Sequence, residues 1–127
     1  MNGKKVLVID DDKNLRDALR VALETAGLAV LEADNGAEGL AMAKKYKPDL
    51  TLLDIMMPKM NGQETLRELR KDEWGKTAQV LLLTSLDDVD NITHGVESKS
   101  NDYIIKSNMS LADITKKVRQ HLAGYHD

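Results

Sequence analysis

Short apolar runs recur along the chain at Val6 to Ile9, Ala29 to Ala33, Leu50 to Leu53, Val80 to Leu83 and Tyr103 to Ile105. Most are continuous rather than alternating, the pattern of strands buried on both faces in a parallel sheet covered by helices. Between them the apolar spacing changes to that of a helix. Leu15, Ala18, Leu19, Ala22, Leu23 and Ala26 gather on one stripe, and Gly27 is placed to end that helix. Ala37 to Lys45 predicts a second helix, and Asn61 with Glu64 has the pattern of a capping box opening a third through Leu66 and Leu69. Val89, Ile92, Thr93 and Val96 predict a fourth. Ser110 with Asp113 would cap a fifth, with Leu111, Ile114, Val118 and Leu122 as its buried stripe.

Strand and helix therefore alternate, which implies parallel strands joined by right-handed crossovers and a doubly wound α/β sheet. Ligands of such sheets bind beyond the carboxyl ends of the strands, near the point where strand order reverses. The residues just past the runs are Asp10 and Asp11, Asp54, Thr84 and Ser85, and Lys106, all on one rim. The second run leads into Asp34, Asn35 and Gly36, further out.

Composition narrows the chemistry. A chain of 127 residues, 42% hydrophobic and 31% charged, is of a size and make-up for one soluble domain with a single core. The net charge of -3, with Lys and Arg scattered among acids, argues against direct nucleic-acid binding, which needs a concentrated basic face. Cysteine is absent, which excludes disulfides, thiolate metal sites and cysteine nucleophiles. The first apolar run is too short for a signal-peptide core or a membrane span, so a cytoplasmic protein with no membrane contact is expected.

Three carboxylates from two neighbouring strands repel one another unless a cation sits among them. Oxygen-only ligands favour a hard ion, and few protein ligands suit Mg²⁺, which keeps waters and bridges to phosphate. Lys106 and Thr84 add a point charge and a hydroxyl donor, so the rim carries what phosphoryl transfer needs. Asp54, alone after its strand, is the candidate nucleophile for an aspartyl phosphate. A lone aspartate, lysine or threonine at a strand end is usually a turn or cap residue. Their coincidence on one rim carries the argument.

Four segments, VLVIDDDKNLR, PDLTLLDIMMPKMNG, LLLTS and DYIIK, in this order and at these separations, resemble the receiver domain of bacterial two-component response regulators, of the single-domain, chemotaxis-regulator-like kind. The resemblance covers essentially the whole chain and implies one receiver domain over residues 1–127, with no output domain. It implies a flavodoxin-like, five-stranded parallel sheet in the order 2-1-3-4-5, with five helices. It further implies that Asp54 accepts a phosphoryl group from a histidine kinase or histidine phosphotransfer protein. Mg²⁺ would be held by Asp10, Asp11, Asp54 and the main-chain carbonyl of Met56. Lys106 would pair with Asp54 or its phosphate, while Thr84 and Tyr103 would switch. The fourth helix, fifth strand and fifth helix would then present an altered surface to a downstream protein, with room for a phosphorylation-dependent dimer. Such a protein promotes its own phosphorylation and dephosphorylation but is not a turnover enzyme on an external substrate.

The chain departs from the family pattern in three places. Ser107 follows Lys106 where proline with a cis peptide is usual, and a cis bond before serine costs roughly 2.5 to 4 kcal/mol against about 0.5 to 1 before proline. Lys99 and Ser100 stand where Gly-Ala is common, which predicts strain if residue 99 is left-handed. Met56 and Leu86, two residues beyond Asp54 and Thr84, are apolar and cannot orient an attacking water, which predicts slow self-dephosphorylation.

Other readings remain open at this point. A haloacid dehalogenase-type phosphatase would use Asp10 and Asp12 as its D-x-D pair, although Lys13-Asn14 replace the usual continuation and 127 residues leave no cap domain. A degenerate receiver serving only for docking is the other, against which Asp54, Thr84 and Lys106 speak. Asn14 with Asp17 predicts the start of the first helix, leaving Asp12 a solvated neighbour of the metal-holding pair. The Met56, Met57 and Met60 cluster is expected to pack around the site. His94, His121 and His126 fit no ligand spacing and are assigned to solvated surface, and Trp74 has no assigned role.

Overall fold

Every apolar run forms a strand in the computed structural model, which describes residues 3–55, 57, 60–84, 102–105 and 110–123. In chain order the elements are β1 (Lys5–Ile9), α1 (Lys13–Thr25), β2 (Ala29–Ala33), α2 (Gly36–Tyr46), β3 (Leu50–Asp54), α3 (Gly62–Arg70), β4 (Val80–Thr84), β5 (Asp102–Ile105) and α4 (Leu111–Leu122). α4 is thus the fifth helix of the sequence pattern. The fourth, over 89–96, lies outside the described residues, as do Met56, Leu86, Lys99 and the Lys106-Ser107 bond.

The five strands are parallel in the order β2-β1-β3-β4-β5, as the sequence and its resemblance predict. Burial explains the unbroken apolar runs. Val6, Val8, Leu50, Leu52, Leu81 and Leu83 join one core cluster with Leu19 and Leu23 of α1 and Ile114 and Val118 of α4. Leu7, Ile9, Leu53, Val80 and Leu82 join another with Ala43 of α2 and Leu66 and Leu69 of α3. Alternate side chains enter opposite cores because successive Cβ atoms point to opposite faces. Each fully buried leucine contributes roughly 1.5 to 3 kcal/mol relative to exposure. Edge strand β2 is less buried and tolerates a charge at Glu32.

Local signals set most boundaries. α1 ends in a Schellman turn: the amide of Gly27, at φ 91°, donates to the Glu24 carbonyl and that of Leu28 to the Leu23 carbonyl. Both predicted capping boxes form, Asn61 with Glu64 and Ser110 with Asp113. α2 ends at Lys47, in the left-handed region at φ 48° just before Pro48, a position the sequence reading did not single out.

Several expectations need correction. α1 begins at Lys13 with Asp12 as its N-cap, not at Asn14, because the Asp12 carboxylate accepts from the amides of Asn14 and Leu15. Asp54 and Thr84 close their strands instead of following them. Leu111 is 39% exposed and lies off the buried stripe of α4, while His121, expected on the surface, is buried at 3% exposure beside Val118 and Leu122 on that stripe. Met57 does pack as expected, into the α2/α3 core with Ile9, Leu53 and Ile55, and half-buried Trp74, which had no assigned role, packs against the same core.

Candidate acidic site at the carboxyl ends of β1 and β3

β1 and β3 are neighbours with Ile9 opposite Leu53, so Asp10, just past β1, and Asp54, the last residue of β3, stand side by side at that end of the sheet. Both are buried, at 0% and 3% exposure, whereas Asp11 is exposed. Asp10, Asp11 and Asp54 each offer one carboxylate oxygen, and the three lie within 4.8 Å of one another. Among the described residues this is the group of acidic or imidazole side chains so gathered. Its donors are oxygen only and few, which fits Mg²⁺ with waters completing the shell and does not fit a zinc site of nitrogen and sulfur.

The β1–α1 turn is a closed set of hydrogen bonds. The Asp10 amide donates to the Ala33 carbonyl at 3.1 Å, continuing the β1–β2 ladder by one step. One Asp10 carboxylate oxygen accepts the Asp12 amide at 2.9 Å, and Asp12 in turn caps α1. The Arg16 amide donates to the Asp12 carbonyl at 3.0 Å, and its guanidinium donates to the Asp10 carbonyl at 2.7 Å. Asp17, one turn into α1, is held below the ordinary carboxylate range by a hydrogen bond from Lys13, so that acid is engaged on the outside of the helix.

Asp54 is fixed differently. The Ile55 amide donates to the Leu83 carbonyl at 3.1 Å, and the Gly62 amide donates to the Ile55 carbonyl at 2.9 Å. A Cβ on Gly62 would lie 2.3 Å from the Asp54 carbonyl oxygen, so glycine alone lets α3 start this close to β3. The Asn61–Glu64 capping box holds that start.

The backbone places Thr84 at the same end of the sheet, paired with Ile105 at the last step of β5. Tyr103 pairs with Leu82 within β5. The side chains of Thr84 and Tyr103, and all of Met56 and Lys106, fall outside what the structure describes. The sequence reading missed Arg16, Glu32 and the capping role of Asp12. The signal for Glu32 was present, as the one charge within the apolar run of β2.

The family model for the response regulator receiver domain matches residues 6–119. The chain is similar to the phosphate regulon transcriptional regulatory protein PhoB of Pseudomonas aeruginosa, with 41% identity over 106 residues, 84% of this chain and 46% of that protein. It is also similar to the DNA-binding dual master transcriptional regulator RpaA of Synechocystis, with 38% identity across 80% of this chain and 42% of that protein. The chain thus spans less than half the length of these regulators. Solved structures align over nearly their whole length. The chemotaxis protein CheY4 of Vibrio cholerae gives a TM-score of 0.86 at 27% identity over 93% of this chain and 98% of that one. A CheY-like receiver domain protein of Methanospirillum hungatei gives 0.87 at 27% over 98% and 97%.

Proposed function

The chain belongs to the response regulator receiver domain family, and from that premise we propose that it is a phosphorylatable signalling switch with Asp54 as phosphoacceptor. The observation that carries the reading is the convergence of Asp10, Asp11 and Asp54 within 4.8 Å where β1 and β3 end. An Asp54 carboxylate oxygen forms the bond to phosphorus as the P–N bond of a phosphohistidine breaks, and the imidazole nitrogen leaves with the electron pair and is reprotonated by solvent. Mg²⁺ would be held by the three carboxylates and the Met56 carbonyl, and would supply positive charge against the phosphoryl oxygens. Lys106 pairs with Asp54 or its phosphate. Thr84 donates its hydroxyl to the phosphoryl group, and Tyr103 turns with it.

Residues 1–127 are read as one receiver domain acting in the cytoplasm, with a histidine kinase or histidine phosphotransfer protein as donor. Among the described residues no helix is long and apolar enough to cross a membrane. Phosphorylation shifts an equilibrium between two packings of segment 89–96, β5 and α4, which recruits a downstream protein. The regulators similar to this chain act in transcription by their names, whereas the net charge of -3 assigns no nucleic-acid contact to this domain. The phosphatase alternative is weakened because Asp12, its required acid, caps α1. Apolar Met56 and Leu86 favour slow self-dephosphorylation, and an acyl phosphate lost within seconds would refute that part.

The test is incubation with Mg²⁺ and acetyl phosphate followed by intact mass measurement. One added phosphoryl group that is lost in Asp54→Ala supports the reading. No adduct, or one that survives Asp54→Ala, sinks it.

A further inference from the structure

Arg16 sits on α1 but reaches back over the turn. Its Nη1 donates to the Asp10 carbonyl at 2.7 Å while its Nε faces Glu32 of β2 at 3.4 Å. Glu32 also takes Arg20, one helical turn further along α1, at 3.2 Å. The Arg16 side chain is 14% exposed and that of Glu32 24%, so this pair is shielded from solvent far more than the Lys13–Asp17 pair at 75% and 38%. A guanidinium fixed at one end by a carboxylate is a rigid donor at the other.

The Asp10 peptide is the hinge of the acidic cluster. Its amide is tied to β2, its carboxylate to the Asp12 amide, and its carbonyl to Arg16. The carbonyl of Asp10 belongs to the peptide plane that continues into Asp11, so holding it sets the direction in which Asp11 leaves. The bond that continues the ladder past Ile9 is made by the Asp10 amide, whereas the Asp10 carbonyl is held from α1, by Arg16.

We propose that Arg16, anchored by Glu32, is a positioning residue that fixes the Asp10–Asp11 peptide and thereby sets the affinity of the acidic cluster for a divalent cation, without touching the cation. The proposal rests on the reading of that cluster as a Mg²⁺ site. Groups that orient metal ligands from behind are commonly worth about 10- to 100-fold in affinity when removed. A guanidinium is itself repelled by a divalent cation, and Glu32 offsets that charge. Arg16 therefore acts through geometry, and Glu32 is needed both to aim and to neutralise it.

Calorimetric titration of the whole chain with Mg²⁺, paired with thermal melting of each variant, tests this. Arg16→Ala should weaken Mg²⁺ binding about tenfold, Arg16→Lys should recover part of the loss by reaching the same carbonyl, and Glu32→Gln should weaken binding by a smaller factor. Leu28→Ala, which opens the core just before β2, at the opposite end of the sheet from the acidic cluster, should melt at a lower temperature with Mg²⁺ affinity unchanged. If Arg16→Ala fails to fold, Arg16→Lys and Glu32→Gln decide the matter in the same way. Variants that bind Mg²⁺ as the wild type does overturn the proposal, as does an equal affinity loss in Leu28→Ala. Absence of Mg²⁺ binding by the wild type would instead remove the underlying reading of the cluster.

Discussion

After β1 the chain enters α1 through Asp10 to Asp12, whereas after β3 it runs from Ile55 to Asn61 before α3 begins. The short turn holds its aspartates by side-chain bonds: Asp10 to the Asp12 amide, Asp12 to the start of α1, Arg16 back to Asp10. The long connection leaves Asp54 in the strand and presses the start of α3 against its backbone through a residue with no side chain, Gly62. Both bring a carboxylate to the same point. One does so by polar bonds that can be removed singly, the other by a close approach that tolerates no added atom.

The most severe test of that contrast is Asp11→Ala, which should abolish Mg²⁺-dependent phosphorylation by acetyl phosphate while leaving the melting temperature nearly unchanged, because Asp11 is exposed. Gly62→Ala comes next. A Cβ at 2.3 Å from the Asp54 carbonyl must displace backbone, so a loss of about 1 to 3 kcal/mol in denaturant unfolding is expected, together with slower phosphorylation as Asp54 shifts. Asp12→Ala should cost about 1 kcal/mol as a lost N-cap yet keep most phosphorylation, which separates the cap from the metal-holding pair. The smallest effect belongs to Asp12→Asn, where stability should change by only a few tenths of a kcal/mol because asparagine caps as well as aspartate. A larger loss there would mean that the negative charge of Asp12 matters beyond its cap.

The outcome at Asp12 shows why local pattern reading fails where it does. Asn14 with Asp17 has the spacing of a capping box and Asp12 does not, so sequence spacing favours a start for α1 that the structure overturns. The choice falls to the Asp10 carboxylate, which holds the Asp12 amide and so brings the helix in two residues earlier. His121 fails for a related reason. Periodicity places it next to Leu122 on α4, and only the position of the helix over the sheet decides that the buried arc is wide enough to include it and to leave out Leu111.

The sequence by itself determined the strands, the order of elements, the ends of α1, α3 and α4 where Gly27, Asn61 and Ser110 stand, and the identity of the aspartates at the strand ends. These follow from burial on two faces and from caps acting over a few residues, both written locally in the chain. Only the tertiary structure decided which carboxylates meet, that Gly62 must be bare, and that Arg16 and Glu32 stand behind Asp10. Those contacts join β1 to β3, α1 to β2 and α3 to β3, and their geometry is set by strand register and by helix placement on the sheet, which no local pattern encodes.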